Sequence, residues 1–69
     1  MSDWKLHTGY RGLKSWVWRE EWQVVVREDL LARKRRFRLL ECCREVARFD
    51  TLKEAQTEAL RRLIELAQI

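Results

Sequence analysis

The stretch Phe49-Asp50-Thr51-Leu52-Lys53-Glu54-Ala55 reads as a strand running straight into a helix. Thr51 followed three residues later by Glu54 fits a capping box, in which each side chain satisfies the other residue's backbone N–H. Beyond it, Leu52, Ala55, Ala59, Leu60, Leu63, Ile64 and Ala67 recur at three- and four-residue spacing, so the pattern predicts an amphipathic helix over about 52–67. Lys53, Glu54, Glu58, Arg61, Arg62 and Glu65 fall largely on its other face, with Glu58/Arg62 and Arg61/Glu65 spaced for ion pairs. A single apolar stripe needs a partner layer, and a sheet built from the preceding residues supplies it.

Upstream, Trp22-Gln23-Val24-Val25-Val26-Arg27 is a β-branched run that favours a strand. Trp16-Val17-Trp18 alternates and is expected to pair with it across Arg19-Glu20-Glu21. Tyr10 to Lys14 is expected to feed the same strand, with Tyr10-Arg11-Gly12-Leu13 as a short basic edge. Residues 29–48 fit two patterns. As a helix, Leu39, Leu40, Cys43, Val46 and Ala47 would share a face; as strands, Arg35–Glu41 and Glu45–Phe49 would form a hairpin turning at Cys42-Cys43-Arg44. The hairpin is preferred, because Val46-Ala47-Arg48-Phe49 alternates and ends where the next helix is capped. The expected architecture is α+β: a small antiparallel sheet of three to four strands over about residues 10–50, packed on one C-terminal helix.

Sixty-nine residues make one domain near the lower size limit for folding without staples. So short a chain has little room for an enclosed catalytic pocket beside its core. A binding module is therefore expected, with a homodimer as one way to bury further surface. Hydrophobic residues at 46% and charged ones at 38% argue against general disorder. The net charge of +4 is uneven: residues 1–40 carry ten basic and five acidic side chains, residues 41–69 five and six. One basic face is expected from this, and basic faces attract phosphate backbones or acidic protein surfaces.

Cys42 and Cys43 are adjacent, a spacing that strains a disulfide. With no Cys-x-x-Cys pair and only His7 as a nitrogen ligand, no metal site is expected. The cysteines are read as one buried small hydrophobe and one outward thiol in a reducing cytoplasm. No N-terminal apolar run is present, so neither a signal peptide nor a membrane span is expected. His7 has no companion nucleophile at a recognisable spacing and there is no Gly-rich phosphate loop, so neither catalysis nor a cofactor is expected.

Two constellations carry chemistry. Arg33-Lys34-Arg35-Arg36-Phe37-Arg38 places five cations in six positions, enough to neutralise several phosphates and release their counterions. On a strand, Arg36 and Arg38 would share one face, opposite Phe37 and Leu39. Trp4, Trp16, Trp18 and Trp22 are many for this length; interleaved with Lys14, Arg19 and Arg27, exposed indoles would contact sugars, thymine methyls or unstacked bases. Trp16 and Trp18 point the same way on one strand, so they are buried together or displayed together.

Tyr10-Arg11-Gly12-Leu13, then Trp18 with Trp22 to Arg27, then Phe49-Asp50-Thr51-Leu52-Lys53-Glu54-Ala55 follow in an order that resembles the plant ethylene-response-factor (APETALA-type) DNA-binding domain and its phage and bacterial relatives. The Thr-x-x-Glu-Ala junction is also similar to that of integrase arm-binding modules. The resemblance implies a three-stranded sheet laid in the major groove of double-stranded DNA. It further implies that Arg11, Trp18 and Arg27 stand at DNA-contacting positions, with Lys14 where the family has arginine. Together with the run Arg33, Lys34, Arg35, Arg36 and Arg38, these are the expected nucleic-acid-binding residues. The alternative is a small protein-interaction module, such as a phage-type inhibitor or assembly subunit, because Trp and Arg also dominate protein interfaces.

Overall fold

The computed structural model describes residues 3–68. Five strands form one antiparallel sheet in the order β1-β2-β3-β4-β5: Trp4–Thr8, Lys14–Trp18, Val24–Glu28, Phe37–Glu41 and Arg44–Phe49. A single helix, α1, follows at Leu52–Ala67 and covers one face. The α+β architecture read from the sequence is present, with five strands where three to four were expected.

The additional strand is β1, which pairs with β2 from Trp4↔Trp18 to Thr8↔Lys14. Tyr10-Arg11-Gly12-Leu13 is consequently not a sheet edge. Tyr10–Gly12 forms one tight 3₁₀ turn between β1 and β2, closed by the Gly9 N–H donating to the Leu13 carbonyl at 2.7 Å. Arg11 (φ 58°) and Gly12 (φ 75°) both sit in the left-handed region there, which ends regular structure. The strand expected over Trp22–Arg27 begins two residues later, because Trp22 and Gln23 complete the turn from β2.

The hairpin reading of the ambiguous segment is the one adopted. The β4–β5 turn consists of Cys42 (φ 52°) and Cys43 (φ 67°), and two successive positive φ values are the sign pattern of a type I′ turn, whose twist suits a hairpin. Both cysteines are exposed free thiols, which corrects the expectation that one is buried. β4 starts at Phe37 rather than Arg35, because residues 29–36 form a loop.

That loop is pinned by two aspartates. Asp29 accepts from the Leu31 N–H at 3.0 Å and from Arg48 Nη1 at 3.0 Å, while its own N–H donates to the Arg36 carbonyl at 2.6 Å. Asp50 Oδ1 accepts from the Arg35 N–H at 3.0 Å. Asp50 thus joins the β3–β4 loop to the strand–helix junction.

The larger core cluster lies between sheet and helix, and a smaller one of Val17, Val25 and Leu40 is buried on the opposite face of the sheet. Val24, Val26, Leu39, Ala55 and Ala59 are fully buried, and Trp4, Trp16, Phe37, Ala47, Phe49, Leu52, Leu63 and Leu66 close around them. Two alanines at the centre of the helical stripe let α1 approach the sheet closely. Leu66 joins this stripe, whereas Ile64 is exposed. Thr51 is the N-cap: its Oγ1 accepts from the Glu54 N–H at 3.2 Å and donates to Glu54 Oε1 at 2.8 Å. Arg61 pairs with both Glu58 and Glu65 along the helix. Arg62 instead reaches Glu41 on β4 at 2.8 Å, tying the helix to the sheet. Among the described residues no helix is long and apolar enough to cross a membrane.

Candidate nucleic-acid interface

In an antiparallel meander, alternate strand ends meet. The C-terminal ends of β1, β3 and β5 and the N-terminal ends of β2 and β4 share one end of the sheet, together with the β1–β2 turn and the β3–β4 loop. Of the nine residues expected to contact nucleic acid, this end holds eight: Arg11 in the turn, Lys14 at the start of β2, Arg27 near the end of β3, Arg33, Lys34, Arg35 and Arg36 in the loop, and Arg38 in β4. Arg48 of β5 joins them. Glu28, Asp29 and Asp50 are interspersed there, and Glu45 of β5 reaches Arg38 and Arg48 from the neighbouring row. Trp18 stands apart, at the opposite end of β2.

Strand register decides which face each side chain takes. Paired Cα positions run across all five strands as His7, Ser15, Arg27, Arg38 and Arg48. A neighbouring row is Lys5, Val17, Val25, Leu40 and Glu45. Both rows lie on the face away from α1. Trp16 and Trp18 point the other way: Trp16 meets Phe37 edge-on with ring centroids 5.9 Å apart, and Trp18 meets Trp4 at 5.6 Å. Trp18 also borders a hollow formed with Leu63, Leu66 and Ala67 of the helix. The sheet therefore separates Trp18 from Arg27, and the tryptophan-and-arginine set implied by the resemblance is not assembled on one surface.

Three arginines side by side on neighbouring strands repel one another, as like charges across a ladder do. The site moderates this with Glu45 and Asp29. Arg38 Nε donates to Glu45 Oε1 at 2.6 Å, and Arg48 reaches Glu45 at 3.1 Å and Asp29 at 3.0 Å. The Glu45 carboxyl is held below its usual range, first by the Arg38 hydrogen bond and then by Arg48. Asp29 is lowered by the Leu31 N–H and then by Arg48. Arg48 is correspondingly raised, chiefly by Glu45. Arg27 differs from its neighbours. Its Nε donates to Ser15 Oγ at 3.2 Å, and among the described residues no carboxylate lies within ion-pair distance of it.

The loop cations are graded in the same way. Arg36 sits 3.6 Å from Glu28, while Arg33, Lys34 and Arg35 are exposed and carry no such partner among the described residues. Arg11 stands over the Tyr10 ring at 5.3 Å, and Tyr10 itself is 82% exposed.

Sequence reading did not assign Arg48 to the site, and it named Trp22 among the candidate indoles without placing it on this face. Arg48 enters the row through a β-bulge between Leu39 and Leu40 that shifts the β4–β5 register by one residue. Trp22 lies in the β2–β3 turn and is 55% exposed, and its ring meets the His7 ring at 4.8 Å. Trp22, Val25, Arg27, Leu40 and Cys43 line a pocket of about 210 Å³ on the open face. The β-branched run from Trp22 to Arg27 favoured a strand, but gave no signal that Trp22 would fold over the sheet. Among the described residues no group of three or more His, Cys, Asp or Glu side chains converges to hold a metal ion.

Comparison of the chain with protein families, with curated proteins and with solved structures finds no match.

Proposed function

We propose that this protein is a non-enzymatic nucleic-acid-binding module that engages the phosphate backbone with the basic end of its sheet. The observation that carries this reading is the convergence of Arg11, Lys14, Arg27, Arg33, Lys34, Arg35, Arg36 and Arg38 on that end, although they are spread over 28 positions of the chain. Concentrated positive charge on one end of a small domain attracts a polyanion and releases its counterions. Loop cations held on a backbone pinned by Asp29 and Asp50 lose less freedom on binding than a disordered basic tail would. Two exposed free thiols support a reducing, cytoplasmic setting.

Backbone contact of this kind serves duplex DNA and single strands alike. Fluorescence anisotropy with labelled oligonucleotides, repeated over a range of salt, tests the proposal. Binding that weakens steeply with salt is expected. Undetectable or salt-independent binding at low salt would sink it, and a stable oligomer in solution that ignores nucleic acid would favour the protein-interaction alternative.

A further inference from the structure

The open face of the sheet contains more than cations, and its apolar part narrows the class of nucleic acid. Resting on the binding function proposed above, we infer that the ligand is single-stranded and that one unpaired base enters the pocket beside Trp22.

The pocket of about 210 Å³ accommodates one planar ring system. Its wall is the half-exposed indole of Trp22, its floor Val25 and Leu40, and Arg27 stands at the side facing the arginine row. Apolar floor, aromatic wall and adjoining cation match the three parts of a nucleotide that a single strand displays: a base with two apolar faces and a charged phosphate. A duplex presents only base edges in its grooves, because its base faces are stacked on one another, so Trp22 has nothing to stack on in duplex DNA.

Two further observations support the assignment. Arg27 is the one member of the row His7-Ser15-Arg27-Arg38-Arg48 that both lines the pocket and is a cation without a carboxylate partner among the described residues. It is thus available to the phosphate of the nucleotide whose base is bound. The His7 ring lies 4.8 Å from the indole, tilted by 52°, which restricts the swing of Trp22 and makes His7 a positioning residue. By contrast, Trp16 and Trp18 face the helix, so a flat tryptophan-studded sheet for lying in a major groove is not displayed.

Three probes of equal phosphate number separate the alternatives by anisotropy: a mixed-sequence single-stranded DNA, the same sequence as duplex, and a strand of abasic spacers. Wild-type protein should bind the single strand at least about fivefold more tightly than the abasic strand, since stacking on an aromatic side chain is a substantial, sequence-tolerant contribution. Trp22→Ala should remove that preference, and Trp22→Phe should retain most of it. The wild-type comparison among probes needs no variant, so a misfolded Trp22→Ala leaves it decisive. Salt-dependent binding in which duplex or abasic strand equals the single strand overturns this inference and leaves the proposed function standing. No binding to any probe overturns both.

Discussion

The loop Arg33-Lys34-Arg35 offers a quantitative test of how this domain holds phosphates. These three cations are exposed and, among the described residues, have no carboxylate within ion-pair distance, and the loop backbone is fixed independently by Asp29 and Asp50. Replacing all three by Ala removes charge without removing a side-chain hydrogen bond, and the Arg35 N–H that donates to Asp50 is retained. With Arg11, Lys14 and Arg27 they make six cations of this end without a carboxylate partner among the described residues, so the slope of log affinity against log salt toward a single strand should be about −4.2 if each meets one phosphate. Raising salt from about 50 to about 200 mM should then weaken wild-type binding by about 300-fold. The triple variant should keep a slope of about −2.1 and lose only about 20-fold over the same range. Anisotropy titrations at several salt concentrations measure both slopes, and the thermal midpoint checks that the fold is intact. Arg36→Ala is the internal comparison, because Arg36 already faces Glu28 at 3.6 Å and should change the slope less than any of the three. If the triple variant folds and its slope equals that of the wild type, the loop is not the phosphate contact and the reasoning fails.

Further expectations follow from the same geometry. Glu45→Gln frees Arg38, while Arg48 keeps its pair with Asp29, and should tighten oligonucleotide binding at low salt while steepening the salt slope by about 0.7 if Arg38 engages one phosphate. Glu45, Asp29 and Glu58 are all held below the usual carboxylate range, Glu58 by Arg61. The stability they lend is therefore complete above pH ~4.3 and is lost as pH falls through their lower folded-state values. A thermal midpoint that stays level from pH 7 to 5 and drops below pH ~4 is expected, with Glu45→Gln showing a shallower drop. Cys42→Asn with Cys43→Gly supplies the residues that positive φ favours at this turn, and should raise stability by about 1 kcal/mol, or ~4–8 °C in Tm, in a thermal melt.

The helix and the central strands were legible because each carries a strong periodic signal with punctuation. Thr51 and Glu54 mark the start of α1, and Ala55 and Ala59 fall on the stripe that is buried. Val24-Val25-Val26 left little alternative to a strand. β1 was harder: Trp4-Lys5-Leu6-His7-Thr8 alternates, yet it contains no Val or Ile, and five residues of alternation are weak beside the Gly9–Gly12 turn that follows. The open-face site was least legible, for a specific reason. Counting outward from a Cys42-Cys43 turn pairs Leu40 with Glu45, and without interruption Leu39 would then meet Val46. The bulge inserts Val46 as an extra residue, so Leu39 meets Ala47, Arg38 meets Arg48 and Phe37 meets Phe49. Phe49 gains the core and Val46 is left 38% exposed. Burying the larger ring outweighs burying the smaller branched chain. Which of the two reaches the core depends on how α1 packs against the sheet, which local spacing does not encode. Eight cations of the basic end could be named from the sequence and Arg48 could not, and only the turns and the direction of each strand bring them together.

The strand order β1-β2-β3-β4-β5, with each strand hydrogen-bonded only to its neighbours in sequence, also has a consequence for how the chain reaches this state. Every sheet contact closes a short loop, and α1 then folds back over β3, β4 and β5, the strands nearest to it in sequence. Such low contact order favours rapid assembly, because little chain entropy is lost before each contact forms. The β3–β4–β5–α1 segment unites the helix with Val24, Val26 and Leu39, the sheet residues of the larger core cluster, and is expected to form first, with β1 and β2 added afterwards at one edge. On that order Arg27 and Arg38 would be in register once this segment has formed, whereas His7 would meet Trp22 only when the first hairpin docks.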